Sequence, residues 1–215
     1  MIEHVYLRAN RIPEIDRVLV ATDSPEIEAV VKAFGGEVVM TSPDHPSGSD
    51  RLAEASGILG LNEEDIVINV QGDQPAFNPD FPALLARPLR DDPTLEMATL
   101  AVPMVKPEEI ENQNHVKVVF GTDGFALYFS RAPIPWPREG SGDYYKHIGI
   151  YAYRAGFLWR FVALPEGRLE RIEKLEQLRA LENGARIKVM VVSGLSPEVD
   201  IPADLAAAEE VLRQS

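Results

Sequence analysis

The first half of the chain alternates two kinds of segment, and that alternation limits the fold more than any other feature. Arg17-Val-Leu-Val-Ala-Thr-Asp23 is a short apolar run that ends polar, as a buried parallel strand does. Ser24-Pro25 reads as a helix cap and first turn. Ile27, Val30, Val31 and Phe34 then recur at helical spacing, and Gly35-Gly36 stops them. The same reasoning predicts strands over 37–41, 66–70 and 97–102, and helices over 50–58, 79–85 and 107–111. Strands alternating with helices imply an α/β fold built on a doubly wound, mostly parallel sheet.

The texture changes after residue 112. Val116–Phe120 and Phe125–Phe129, joined by Gly-Thr-Asp-Gly, read as a β-hairpin. Residues 133–143 are rich in Pro and Gly and read as a loop. A strand is predicted over 148–153, a helix over 169–182 closed by Asn183-Gly184, a strand over 186–192 and a helix over 202–213. We expect one domain over 1–215, with a smaller hairpin-containing lobe at about 112–153 inside it.

Composition removes several function classes. There is no Cys, hence no disulfide framework, thiolate metal site or cysteine nucleophile. The net charge of −13 argues against nucleic acid and anionic membrane as partners. An anionic small substrate then needs local cations or a metal to reverse the field in one cleft. No apolar run approaches a membrane span and no signal peptide is visible, so a cytoplasmic location is expected.

Ligands of doubly wound sheets sit at the carboxyl ends of strands, which is where Asp73 follows Ile66–Val70. Asp73 either binds there or caps a turn. Asp200 also follows an apolar strand; it either joins Asp73 on a magnesium ion or caps the last helix. Glu176 falls at the edge of its helix's apolar face, so it is partnered, faces a cleft or reaches solvent. His147 beside a strand is structural or functional. Ser47, Gly48 and Ser49 either present N–H groups and hydroxyls to a ligand or cap a helix. No Ser-His-Asp order, Walker loop or G-x-G-x-x-G is present, and the 4 scattered histidines do not suggest zinc.

Several stretches carry a resemblance through their common order and spacing: "VLVATD", "DHPSGSDRLAEA", "INVQGDQP", "GFALYFSRAPIPW", "KHIGIYAYRAGF", "LERIEKLEQLRALENG" and "VDIPADL". Together they resemble the 3-deoxy-manno-octulosonate (Kdo) cytidylyltransferases of lipopolysaccharide synthesis. The resemblance implies a nucleotidyltransferase that moves CMP from CTP to the sugar acid's anomeric hydroxyl with Mg²⁺ and releases pyrophosphate. By the same resemblance Asp73 and Asp200 would be metal ligands and catalytic. Gln71 would reach sugar hydroxyls and Arg138 the sugar carboxylate. His147, Tyr151, Glu176 and Gln177 would line the sugar pocket, and Ser47 and Arg51 would sit near the cytidine. A homodimer is implied, with the hairpin and "YFSRAPIPW" in its interface.

Two departures stand out. Gln74 replaces the glutamate usual after the aspartate. The family's opening strand and basic phosphate-wrapping loop are also absent, which leads to the expectation of weak or no transferase activity. A misassigned start, a truncated polypeptide and a natural short form would each explain it. A cytidylyltransferase for amino-Kdo, and a non-catalytic sugar-binding or dimerisation subunit, are the alternatives.

Overall fold

The computed structural model describes residues 1–12, 14–194, 199 and 205–213. Asp200 lies outside the described residues. The helices are α1 (Ile2–Ala9), α2 (Pro25–Ala33), α3 (Gly48–Ile58), α4 (Asp80–Asp91), α5 (Pro107–Glu111), α6 (Ala155–Val162), α7 (Arg168–Glu173), α8 (Gln177–Glu182) and α9 (Leu205–Arg213). The strands are β1 (Val20–Thr22), β2 (Val38–Met40), β3 (Ile66–Asn69), β4 (Met97–Met104), β5 (Lys117–Phe120), β6 (Ala126–Ser130), β7 (Tyr144–Arg154) and β8 (Ile187–Val191).

The α/β character is as expected, but the sheet is more mixed than the alternation implied. β6-β5-β7-β4-β8 form a six-stranded sheet with β3, which pairs with β7. β4 and β8 are parallel, whereas β7 runs antiparallel to β3, β4 and β5. The reason is topological. β7 returns from the hairpin region and threads back between β3 and β4, so two strands of one direction flank one of the other. β1 and β2 pair in parallel as a separate two-stranded sheet. Among the described residues β1 pairs with β2 alone and β3 with β7 alone, so each has one edge without a strand partner.

Side chains alternate between the sheet's faces and build two cores. Met97, Ala101, Tyr151 and Tyr153 pack against Phe157, Leu158 and Phe161 of α6 and Leu178 of α8. Ala98, Leu100, Ile148, Ile150 and Ala152 pack on the other side against Val5 of α1 and Phe81, Leu85 and Leu89 of α4. The result is a helix–sheet–helix sandwich with β4 and β7 at its centre. No helix among the described residues is long and apolar enough to cross a membrane.

The helix expected over 169–182 is two helices. Lys174 takes a left-handed conformation, φ 54°, and ends α7. Arg131 satisfies carbonyls that the break leaves without helical partners. Its Nε donates to Glu173 O at 2.8 Å and its Nη2 to Lys174 O at 3.5 Å. The Glu173 carboxylate in turn accepts from Ser130 Oγ and Arg131 N, at 2.6 and 2.9 Å. Glu176 therefore sits at the start of α8, not on the flank of one long helix.

Candidate active site

One edge of β7 pairs with β4. The other edge is shared: β3 covers Tyr151 to Arg154, and β5 meets β7 at Lys146. A cavity of about 230 Å³ opens in the fork between the end of β3 and the start of β5. Gln71, Asp73 and Gln74 line it from the turn after β3, Asn114 and Val116 from the approach to β5, and Lys146, His147 and Gly149 from β7. Hence the apolar Ile66–Asn69 strand delivers its following carboxylate to a cleft at its carboxyl end, as open α/β sheets do.

Local bonding shapes that turn. Gln74 N donates to Gln71 O at 3.2 Å and Phe77 N to Gln74 O at 3.3 Å, leaving Gly72 and Asp73 at the tip. Helix α1 braces the turn from outside, where Arg8 Nε donates to Phe77 O at 2.9 Å. The Asp73 carbonyl accepts from Val199 N at 2.8 Å, so the chain beside Asp200 is tied to the same turn. Gln74 is buried, and a neutral amide is less costly there than the carboxylate usual in the resembled family.

Opposite the turn, the β4–β7 register shifts: Thr99 faces Tyr151 while Leu100 faces Ile148. Gly149 and Ile150 thus have no register partners on β4, and Gly149 of this bulge lines the cavity. His147 is held there by Phe129 and Tyr151, whose ring centroids both lie 5.2 Å away, and by Thr99 Oγ1, 3.0 Å from its Nε2. Burial, with the Lys146 charge nearby, pushes the His147 imidazole down to about 3. His147 is consequently neutral at ordinary pH and is suited to hydrogen bonding rather than to taking up a proton.

A second polar cluster surrounds Glu176. Its carboxylate accepts from Ser47 Oγ at 2.8 Å and Ser49 Oγ at 2.9 Å. Ser47 also caps α3 through Asp50 N, at 3.3 Å. Arg179 Nη2 bonds Glu170 Oε1 at 2.7 Å and lies 3.9 Å from Glu176. The capping reading of Ser47 holds, and the same hydroxyl touches Glu176. A run of ring contacts leads from the cavity toward this cluster, His147 tilted against Tyr151 and Tyr151 stacked on Tyr153 at 5.7 Å. Burial and the Glu176 charge raise the Tyr153 phenol above its ordinary range.

The remaining candidates are dispersed. Arg51 Nη1 donates to Thr41 Oγ1 at 2.6 Å and Nη2 pairs with Asp23 at 3.0 Å, joining α3 to the carboxyl ends of β1 and β2. Gln177 is buried in the first turn of α8. Arg138 is exposed on the loop before β7 and does not line the cavity. The structure therefore joins Gln71, Asp73 and His147 around one space with Tyr151 behind, and Ser47 with Glu176 in another cluster. Lys146, Asn114 and Thr99 were missed. Lys146 directly precedes His147 near a predicted strand, and a cation beside an imidazole was the available signal.

Asp73 is the carboxylate in the cavity, with the side-chain amides of Gln71 and Asn114 lining the same space. Among the described residues no cluster of three His, Cys, Asp or Glu could hold a metal. Such a donor set fits an ion satisfied by one or two carboxylates plus water and phosphate oxygens.

Comparison with known proteins identifies the family. A cytidylyltransferase family model matches residues 1–187. The 3-deoxy-manno-octulosonate cytidylyltransferase of Syntrophus aciditrophicus (strain SB) is 52% identical over 214 residues, covering 99% of this chain and 86% of that protein. The 8-amino-3,8-dideoxy-manno-octulosonate cytidylyltransferase of Shewanella frigidimarina (strain NCIMB 400) is 49% identical over 212 residues, covering 97% and 86%. A solved CMP:2-keto-3-deoxy-manno-octonic acid synthetase complexed with CTP superposes with a TM-score of 0.93 at 43% identity, over 99% of this chain and 87% of that one. A 4-diphosphocytidyl-2C-methyl-D-erythritol synthase shares the fold, with a TM-score of 0.67 at 16% identity. The chain belongs to the cytidylyltransferase family and is a nucleotidyltransferase.

Proposed function

We propose that the chain transfers CMP from CTP to the anomeric hydroxyl of Kdo, giving CMP-Kdo and pyrophosphate. The observation that carries this reading is the cavity at the β3–β5 fork, where one carboxylate, one ammonium and a neutral imidazole meet neutral amides. A sugar acid needs a cation for its carboxylate and neutral donors and acceptors for its hydroxyls. Lys146 has no ion-pair partner among the described residues and is the cation of that lining. We therefore assign the sugar carboxylate to Lys146 in preference to the exposed Arg138. Gln71, Asn114 and His147 take hydroxyls.

Asp73, with Asp200 as a further candidate, would hold Mg²⁺, which when bound supplies positive charge at the α-phosphate and helps align attack. The protein's own part is positioning. The Gly72-Asp73 tip fixes a carboxylate beside the sugar site, and the Tyr151–Tyr153 stack joins that site to Glu176. Holding two reactants in line lowers the barrier without a protein base. The exposed apolar side chains of Leu127, Trp136 and Val105 support a homodimer contact in the hairpin and loop region. A monomeric mass in sedimentation at working concentration removes that part.

The test is pyrophosphate release from CTP, Mg²⁺ and either Kdo or 8-amino-Kdo, with product mass read in parallel. A Kdo product formed at low turnover is expected. A product only with the amino sugar moves the assignment to that substrate, and release with neither sugar overturns it. The amino-sugar reading is kept as the second because a relative named for that substrate is 49% identical, against 52% for one named for Kdo.

A further inference from the structure

Thr99 is wholly buried at the β4–β7 bulge, and its single hydroxyl meets three polar atoms. Oγ1 lies 3.2 Å from Ile148 O, 3.0 Å from Ile150 O and 3.0 Å from His147 Nε2. A hydroxyl has one proton and two lone pairs. The carbonyls can only accept, so the Thr99 proton goes to them. The third contact is satisfied when the imidazole donates to Thr99 Oγ1, which requires the proton on Nε2.

The opposite side of the ring follows from this. β4 lies on one edge of β7 and the cavity on the other. His147 lines that cavity, and with Nε2 engaged by Thr99 its Nδ1 is the ring nitrogen left to meet a ligand there. Nδ1 has no hydrogen-bond partner among the described residues, and the Phe129 and Tyr151 rings oppose reorientation. The geometry points to Thr99 as a positioning residue that locks His147 as its Nε2–H tautomer, so that Nδ1 presents a lone pair to a hydroxyl of the bound sugar acid. Nδ1 in this state accepts and cannot donate. It selects a donor such as a hydroxyl and repels a carboxylate, which is left to Lys146. The low imidazole pKa agrees with a ring that stays neutral. This inference rests on the sugar-acid reading for its ligand, but not for its tautomer.

The experiment uses the full chain with ¹⁵N-labelled histidine. Ring nitrogen spectra are recorded for the wild type, Thr99→Val and Thr99→Ser, before and during titration with Kdo. Expected for the wild type and Thr99→Ser are a protonated Nε2 and an unprotonated Nδ1 at His147, with Nδ1 shifting as Kdo binds. Thr99→Val should mix the tautomers and weaken Kdo binding about fivefold, the scale of one net hydrogen bond. Thr99→Ser should restore both, which a purely steric role of the threonine methyl would not predict. A proton on Nδ1 in the wild type, or an unchanged Thr99→Val spectrum, overturns the lock. Kdo binding that leaves Nδ1 unmoved overturns the recognition role. If the tautomer is as expected but Kdo does not bind, the recognition role falls together with the sugar-acid reading, while the Thr99 contact itself stands.

Discussion

The two sheets of this molecule were equally legible as strands and are very unequal as structure. β4 runs from Met97 to Ala101 wholly buried, flanked by β7 and β8. β1 and β2 are half-buried and pair only with each other among the described residues, and beside them Ile27, Val30 and Met40 stand exposed. Strand propensity is similar in the two places; neighbours are not. A strand gains its stability from what covers its faces and edges, so similar apolar runs yield a rigid core in one region and a thin layer in the other.

That contrast can be broken by mutation. The largest effect is expected in the body: Phe129→Ala, at a fully buried ring, should cost about 3–5 kcal/mol in chemical denaturation. Nearly as large, but on turnover, Asp73→Asn should lower pyrophosphate release roughly 10²–10³-fold with little change in stability, because Asp73 sits on a turn tip outside the core. Equal loss of fold and activity would mean the turn is structural.

The next effect depends on pH. His147 has its pKa depressed from 6.5 to about 3, so the unfolded chain binds a proton there that the folded chain does not. Its contribution to stability is complete above 6.5 and is lost as pH falls toward 3, at no more than about 1.4 kcal/mol per pH unit. His147→Gln should flatten that slope, and an unchanged acid limb would show that the ring is already protonated in the fold. The smallest effect belongs to the thin layer. Val20→Ala should cost about 1 kcal/mol, and β1 amides should exchange well before those of β4. Equal protection in the two strands would erase the distinction.

Most element types were visible in the sequence, and the misses have specific causes. α6 was not predicted because it follows β7 without an intervening residue, so no turn or breaker marks its start. Its glycine is needed for close approach, since a Cβ there would lie 2.9 Å from the Glu63 Cβ. α4 runs to Asp91, past the predicted end at 85, with Pro88 inside it. The break at Lys174 is a left-handed turn at a non-glycine residue, with carbonyls met by Arg131, distant in sequence, and no local pattern reveals that contact. Within the site, strand position singled out Asp73 but left it as either a binding residue or a turn cap. His147, Gln71 and Tyr151 were named through the resemblance, and their convergence required the β7 bulge. Lys146 and Thr99 became visible only once β4, β5 and β7 were in register.

The placement of β7 also sets an order of events for the chain as it is made. β3 and β4 are consecutive strands, yet they cannot pair with each other, because the strand that separates them is synthesised after both. Ile66 must wait for Arg154, and Met97 for Tyr153. Until then two apolar ribbons emerge from the ribosome with only α1–α5 to shield them, and such non-local pairing is intrinsically slow and prone to self-association. The cavity, whose walls come from both sides of that delay, is among the last parts of the molecule to exist.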